Sequence, residues 1–160
     1  MLVADATGLP ALARILEQTP AQVRSRVFIE VAEPEHEQQL PDRANATVTW
    51  MHGSGNGIAP SRMDEVVRAV PMPSSPGYVW VAGEQKVVRA IRKYVRHELG
   101  LPPERYELVG YWIHGGEAWK AGRDALPAEV KAAIEAGWAS DRDREDVRDE
   151  YEATLEKFGL

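Results

Sequence analysis

Short runs rich in β-branched and aromatic residues alternate along this chain with segments of helical period, and that alternation constrains the fold more than any other feature. Strands separated by helix-length segments do not pair as tight hairpins; they pair in parallel, through crossover helices. Five runs stand out. Leu2-Val3-Ala4 opens the chain, Arg26 to Ala32 and Ala46 to Met51 follow, Gly77 to Gly83 reads as the most buried, and Tyr106 to Trp112 comes last. The expectation is an α/β domain built on a five-stranded, parallel, doubly wound sheet.

The segments between the strands carry helix and turn signals. After the turn Asp5-Ala6-Thr7-Gly8, Pro10 suits the first turn of a helix whose buried stripe is Leu9, Leu12, Ile15 and Leu16. Glu33-Pro34-Glu35 marks a turn, and His52-Gly53-Ser54-Gly55-Asn56-Gly57 reads as a flexible loop. Ser61 is the expected N-cap of a helix carrying Met63, Val66, Val67 and Val70, ended by Pro71, Pro73 and Pro76. The helix after the fourth strand presents Val87, Val88, Ile91, Val95 and Leu99 on one side and stops at Gly100. Its Lys86, Arg89, Arg92, Lys93 and Arg96 read as a solvated face that would steer anions if one bound nearby.

From Lys120 onward the chain changes character. Val130, Ala133, Ile134 and Trp138, then Val147, Tyr151, Leu155 and Phe158, fall at helical spacing, with acids crowding the outer face. This stretch holds 11 acids and 7 bases. The expected organisation is an α/β domain over residues 1–119 and a C-terminal helical extension over 120–160. The extension's stripe fits three occupants: this domain, a further domain, or a second copy in a homodimer.

Composition removes several functions. With no cysteine, the chain has no disulfide, thiolate nucleophile, iron–sulfur ligation or cysteine zinc site. His36, His52, His97 and His114 are scattered, so no metal site is expected. A formal charge of -6 argues against nucleic acid as a partner. No apolar run is long enough for a membrane span, and the start lacks the pattern of a signal peptide, so a cytoplasmic protein is expected.

In doubly wound sheets ligands bind at the carboxyl ends of strands. That rule selects three places: the turn after strand one, the glycine loop after strand three, and Ala82-Gly83-Glu84. The turn Thr7-Gly8-Leu9-Pro10 offers helix N-terminal amides for a pyrophosphate, with the Thr7 hydroxyl as a further donor. Turn-to-helix junctions of this kind are also common without any ligand. Gly83-Glu84 reads either as a helix start with a favourable acid or as a carboxylate accepting from a carboxamide or ribose.

Four blocks in order then carry a resemblance: Asp5-Ala6-Thr7-Gly8-Leu9-Pro10-Ala11, Val48-Thr49-Trp50-Met51-His52, Tyr78-Val79-Trp80-Val81-Ala82-Gly83-Glu84, and Gly110-Tyr111-Trp112. Together, over about Leu2 to Gly116, the chain resembles the C-terminal half of the siderophore-interacting protein family, ferric-siderophore reductases related to ferredoxin–NADP reductases. The resemblance implies a ferredoxin reductase-like NAD(P)-binding domain that presents NADPH or NADH to FAD held on an N-terminal β-barrel. Electrons then pass to iron(III) of a ferric siderophore and iron(II) is released. It also implies that Asp5, Thr7, Gly8, Leu9 and Pro10 line the nicotinamide and pyrophosphate region, completed by Gly83 and Glu84. None of these is expected to act as a catalytic group, because the cofactor carries the chemistry.

Two departures accompany the resemblance. The family's flavin-binding R-x-Y-[ST]-x-R pattern is absent and no barrel-sized segment precedes strand one, so FAD is expected on an N-terminal domain outside this chain. Basic residues that follow G-Y-W in the family are replaced by Ile113-His114-Gly115-Gly116, leaving His114 and Lys120, or Arg123, as the cations for an anionic siderophore. At the adenosine end Glu33 opposes a 2′-phosphate and Arg62 favours one, with the related reductases leaning to NADPH. The alternative function is a nucleotide-sensing or protein-interaction module with the same fold and no catalytic activity.

Overall fold

The computed structural model describes residues 1–72 and 77–160, so the expected helix-ending Pro73 and Pro76 lie outside the described residues. The chain divides into two compact units, Met1–His114 and Gly115–Leu160.

The first unit contains the five strands that the alternation predicts: β1 (Leu2–Asp5), β2 (Ser25–Val31), β3 (Ala46–His52), β4 (Val79–Glu84) and β5 (Tyr106–Trp112). All neighbours pair in parallel, in the order β3-β2-β1-β4-β5. Val3 of the central strand sits between Phe28 of β2 and Val81 of β4. Every residue of β1 and β4 is buried, as interior parallel strands covered on both faces require. Exposure returns at the edges, at Thr47, Val48 and Thr49 of β3 and Glu107 and Tyr111 of β5.

Side-chain alternation along the strands separates two cores. On one face Leu2, Ala4, Val27, Ile29 and Trp80 pack with Leu9, Leu12 and Leu16 of α1 (Leu9–Gln18). Removing Leu12 or Leu16 from water stabilises the unit by about 1.5–3 kcal/mol each. On the other face Val3, Val79, Val81 and Leu108 meet Met63 and Val67 of α2 (Met63–Ala69) and Val88 and Ile91 of α3 (Gln85–Lys93). The chain steps outward from β1 to β3, then crosses back to β4, so strand order reverses between β1 and β4. A crevice opens at the carboxyl ends on either side of such a reversal.

Local details differ from the sequence expectation in three places. The N-cap position of α2 is Arg62 rather than Ser61, although the Ser61 hydroxyl still accepts the Met63 N–H at 3.2 Å. The helix after β4 is α-helical only to Lys93 and widens into a π turn over Tyr94–Glu98, closed by Gly100 at φ 61°. That extra residue per turn keeps Val95 buried and Leu99 packed on the core beyond it. Arg89 and Arg92, expected on a solvated face, are buried with exposures of 5% and 6%. Both residues have interaction partners.

The second unit holds α4 (Gly116–Asp124), α5 (Ala128–Ala139) and α6 (Arg144–Lys157). The Asp143 carboxylate caps α6 by accepting from Glu145 and Asp146 N–H at 2.9 and 3.2 Å. Val147 and Leu155 of the predicted stripe are buried, and Trp138 meets Tyr151 edge to face at 5.8 Å. Glu152, expected among the outward acids, is also buried. Among the described residues no helix is long and apolar enough to cross a bilayer.

Gly8, the N-cap of α1, sits so close to the sheet that a Cβ would lie 2.8 Å from Ala82 Cβ, 2.9 Å from Ala82 O and 3.0 Å from Ala4 Cβ. All three atoms belong to interior strands and one is backbone, so little can yield. Gly8→Ala is expected to destabilise the chain by about 1–3 kcal/mol through overpacking. Urea unfolding followed by tryptophan fluorescence measures this, and a change under 0.5 kcal/mol on that scale would mean α1 moves freely on β4.

Candidate functional site

The strand ends are organised around Asp5. Asp5 is the last residue of β1 and only 1% exposed, so its carboxylate needs donors. Its Oδ1 accepts the Thr7 N–H at 2.8 Å and the Thr7 hydroxyl at 2.5 Å. Its Oδ2 accepts the indole N–H of Trp112 at 2.7 Å, reaching past β4 to the end of β5. Gly83 permits the reach: a Cβ there would lie 2.7 Å from Asp5 Oδ2 and 2.7 Å from Met63 Cε.

These bonds change what the first turn can offer an anion. Ala6 N–H donates to Asn56 Oδ1 at 3.1 Å, Thr7 N–H to Asp5, and Gly8 N–H to Asp5 O at 3.1 Å. The Thr7 hydroxyl proton is likewise engaged, and Pro10 has no N–H. The donors of the helix start are therefore the amides of Leu9 and Ala11 in the first turn of α1, since Leu12 N–H already bonds Gly8 O.

Glu84 occupies the N-cap of α3 and is 7% exposed. Its Oε2 accepts Lys86 and Val87 N–H at 2.7 and 3.0 Å, and its Oε1 accepts His114 N–H at 3.2 Å. Of the two readings open for this residue in the sequence, the helix-start role is directly visible. The same bonds fix where Lys86 and His114 stand.

The loop after β3 is more ordered than its glycines suggest. Gly53, Gly55, Asn56 and Gly57 all adopt left-handed conformations, with Asn56 at φ 54° the one non-glycine among them. Gly53 N–H bonds Ala32 O at 2.9 Å and Ile58 N–H bonds Gly55 O at 3.0 Å. The folded loop forms one wall of a groove of about 420 Å³, a volume within the range of small-ligand sites. Asn56, Gly57 and Ile58 face Lys86, Trp112 and His114 across it, with Glu84 also lining it. Lys86 and His114 are exposed, with Lys86 supplying a positive charge and the imidazole a polar ring, while Ile58 and Trp112 supply apolar surface.

Asp5, Thr7, Gly8, Leu9, Pro10, Gly83 and Glu84 thus cluster at the ends of β1 and β4, with His114 in the adjoining groove. Arg62 stands at the start of α2 with its guanidinium exposed, 3.5 Å from Glu65. Lys120 lies on α4 in the second unit. Sequence reasoning gave Lys86 only a steering role on a solvated face and singled out neither Trp112 nor Asn56 as an individual site residue. The adjacent Asn56-Gly57 pair was the available signal for a left-handed turn, and Trp112 already stood in the Gly110-Tyr111-Trp112 block.

A sequence model described as siderophore-interacting protein matches residues 1–115. The ferric vibriobactin reductase of Vibrio cholerae is 26% identical over 117 residues, covering 72% of this chain and 43% of that protein. The ferric acinetobactin reductase of Acinetobacter baumannii is 25% identical over 115 residues, covering 72% and 40%. Among solved structures, a siderophore-interacting protein from Aeromonas hydrophila superposes with a TM-score of 0.61 at 33% identity, covering 71% of this chain and 50% of that one. The chain spans less than half the length of these two curated relatives.

Asp5→Asn keeps an acceptor for Thr7 but turns an amide N–H₂ toward the Trp112 indole N–H. It is expected to lose about 1–3 kcal/mol of stability, and Trp112→Phe somewhat less. Because both remove one bond, the double variant should fall short of the sum by at least about 0.5 kcal/mol in a denaturation cycle. Additive losses would show that the bridge from β1 to β5 contributes nothing.

Proposed function

Because the chain belongs to the siderophore-interacting protein family, we propose that its strand-end groove binds NADPH or NADH and presents the nicotinamide to FAD, for reduction of a ferric siderophore and release of iron(II). The observation that carries this is the groove formed by the loop after β3 with the ends of β4 and β5, beside the reversal of strand order, where Asn56 of that loop also bonds the β1 turn.

The residues present fit a dinucleotide. The amides of Leu9 and Ala11 at the start of α1 suit a pyrophosphate, and the exposed Lys86 ammonium offsets its charge. Thr7, Leu9 and Pro10 border the same turn, while Asp5, Gly8 and Gly83 act by packing: they hold the turn against β4 and leave room above it. Glu84 keeps the α3 start and the His114 backbone in place. Ile58 and the Trp112 ring give the groove an apolar side suited to a planar ring. When bound, the reduced nicotinamide supplies a hydride, the two-electron equivalent that a flavin can divide between two iron(III) centres.

In this proposal residues 1–119 are the NAD(P)H-binding domain and 120–160 a helical extension. FAD and its β-barrel belong to the part of the relatives' length that this chain does not span. The anionic ferric siderophore, with iron as substrate, approaches the end of the groove marked by His114. The reaction runs in the cytoplasm, where reduced nicotinamide is supplied. Arg62 supports NADPH, since its exposed guanidinium suits a 2′-phosphate and Glu33 alone would oppose one.

Calorimetric titration of the chain with NADPH and NADH tests the proposal. Ala59→Trp, which fills the exposed rim of the groove, is expected to abolish binding without shifting the melting temperature. Arg62→Ala is expected to weaken NADPH by about tenfold, the scale of one charge-assisted hydrogen bond, and to leave NADH unchanged. No heat with either nucleotide, or full affinity in Ala59→Trp, would contradict the assignment.

A further inference from the structure

Beneath the glycine loop lies a carboxylate that the proposed function does not use. Glu30, next to last in β2, is fully buried. Its Oε1 accepts the Ser54 hydroxyl at 2.7 Å and the Arg62 N–H at 2.7 Å, so it grips both the loop and the start of α2. Its Oε2 has no hydrogen-bond partner among the described residues and lies against Gly55. A Cβ at Gly55 would stand 1.9 Å from that oxygen and 2.5 Å from the carboxyl carbon.

Burying a carboxylate with one oxygen unmatched is costly. A serine-to-backbone contact would close the loop without it, so the arrangement points to a demand for a fixed loop shape. Asn56 completes the anchor. Its amide N–H₂ donates to Glu30 O at 3.1 Å and to Ser54 O at 3.3 Å, while its Oδ1 accepts from Ala6 in the β1 turn. Gly57 follows directly and looks across the groove, where a Cβ would lie 3.8 Å from His114 Nδ1 and 3.9 Å from Trp112 Cη2.

We infer that Glu30 is a positioning residue for the groove: it holds the loop Gly53–Gly57 in the one shape that sets the groove's width, touching no ligand itself. This rests on the dinucleotide reading of the groove. A run of three glycines and one asparagine in left-handed backbone has many alternatives when untethered, because glycine reaches most of backbone space. Releasing it lowers the fraction of molecules with a formed groove, and apparent affinity falls by that same fraction.

The test uses the full chain, NADPH as probe and amide hydrogen exchange over residues 53–62. Glu30→Leu removes both acceptors at similar volume; exchange in the loop should rise and the NADPH dissociation constant should increase about tenfold, as for a groove formed one-tenth of the time. Glu30→Gln keeps one acceptor oxygen for Ser54 and Arg62 and should restore both readouts toward wild type. If Glu30→Leu fails to fold, Ser54→Ala, which deletes a single bond, should give the same pair of changes at smaller size. A loop that exchanges faster while NADPH affinity holds overturns the inference and leaves the dinucleotide reading intact. A wild-type chain that binds neither NADPH nor NADH overturns both.

Discussion

The bond network of one buried carboxylate, Asp5, sets the shape of the strand ends. It closes the turn after β1 through Thr7 and ties that turn to Trp112 at the far edge of the sheet. With Asn56 and the Asp5 carbonyl it gives three consecutive turn amides, those of Ala6, Thr7 and Gly8, internal acceptors. The turn is therefore a prebuilt support whose geometry exists before any ligand arrives, the condition under which a site can hold a cofactor closely.

Three glycines make that support compact. Gly8 lets α1 start against β4, Gly83 lets Asp5 reach Trp112, and Gly55 lets the loop close over Glu30. At each a methyl group would meet a neighbour at 2.8 Å or less. Buried carboxylates and missing side chains occur together at the strand ends, so the crevice is shaped by backbone and by fixed acceptors. Lys86, its backbone held by Glu84 as that of His114 is, provides the groove's positive charge.

The fold was largely legible because its signals are collective. Each strand is a run of several β-branched or aromatic residues, and the parallel pairing follows from the spacing between runs. Single-residue roles were harder to read. Arg89 and Arg92 carry the same charge as Lys86 and Lys93, yet two are buried and two exposed, since α3 is wrapped over more of its circumference than its apolar stripe implies. Asp5 and Glu84 stood out as acids at strand ends, but whether an acid points at a ligand or at its own backbone depends on donors distant in sequence; for Asp5 the decisive one is 107 residues away. Glu30 gave no signal at all. It sits in the middle of a strand run, and its partners Ser54 and Arg62 come from two separate later segments.

The central claim is that the groove between the glycine loop and the ends of β4 and β5 is where this domain takes reduced nicotinamide dinucleotide. Amide and indole chemical shifts of the isotope-labelled chain, recorded as NADPH is added, test it most directly. The account predicts shifts concentrated at Leu9, Ala11, Gly57, Ile58, Lys86, His114 and the Trp112 indole, with the other four tryptophans of the chain's five undisturbed. Saturable shifts confined to residues of α5 and α6, or to the amino ends of the strands, would contradict it.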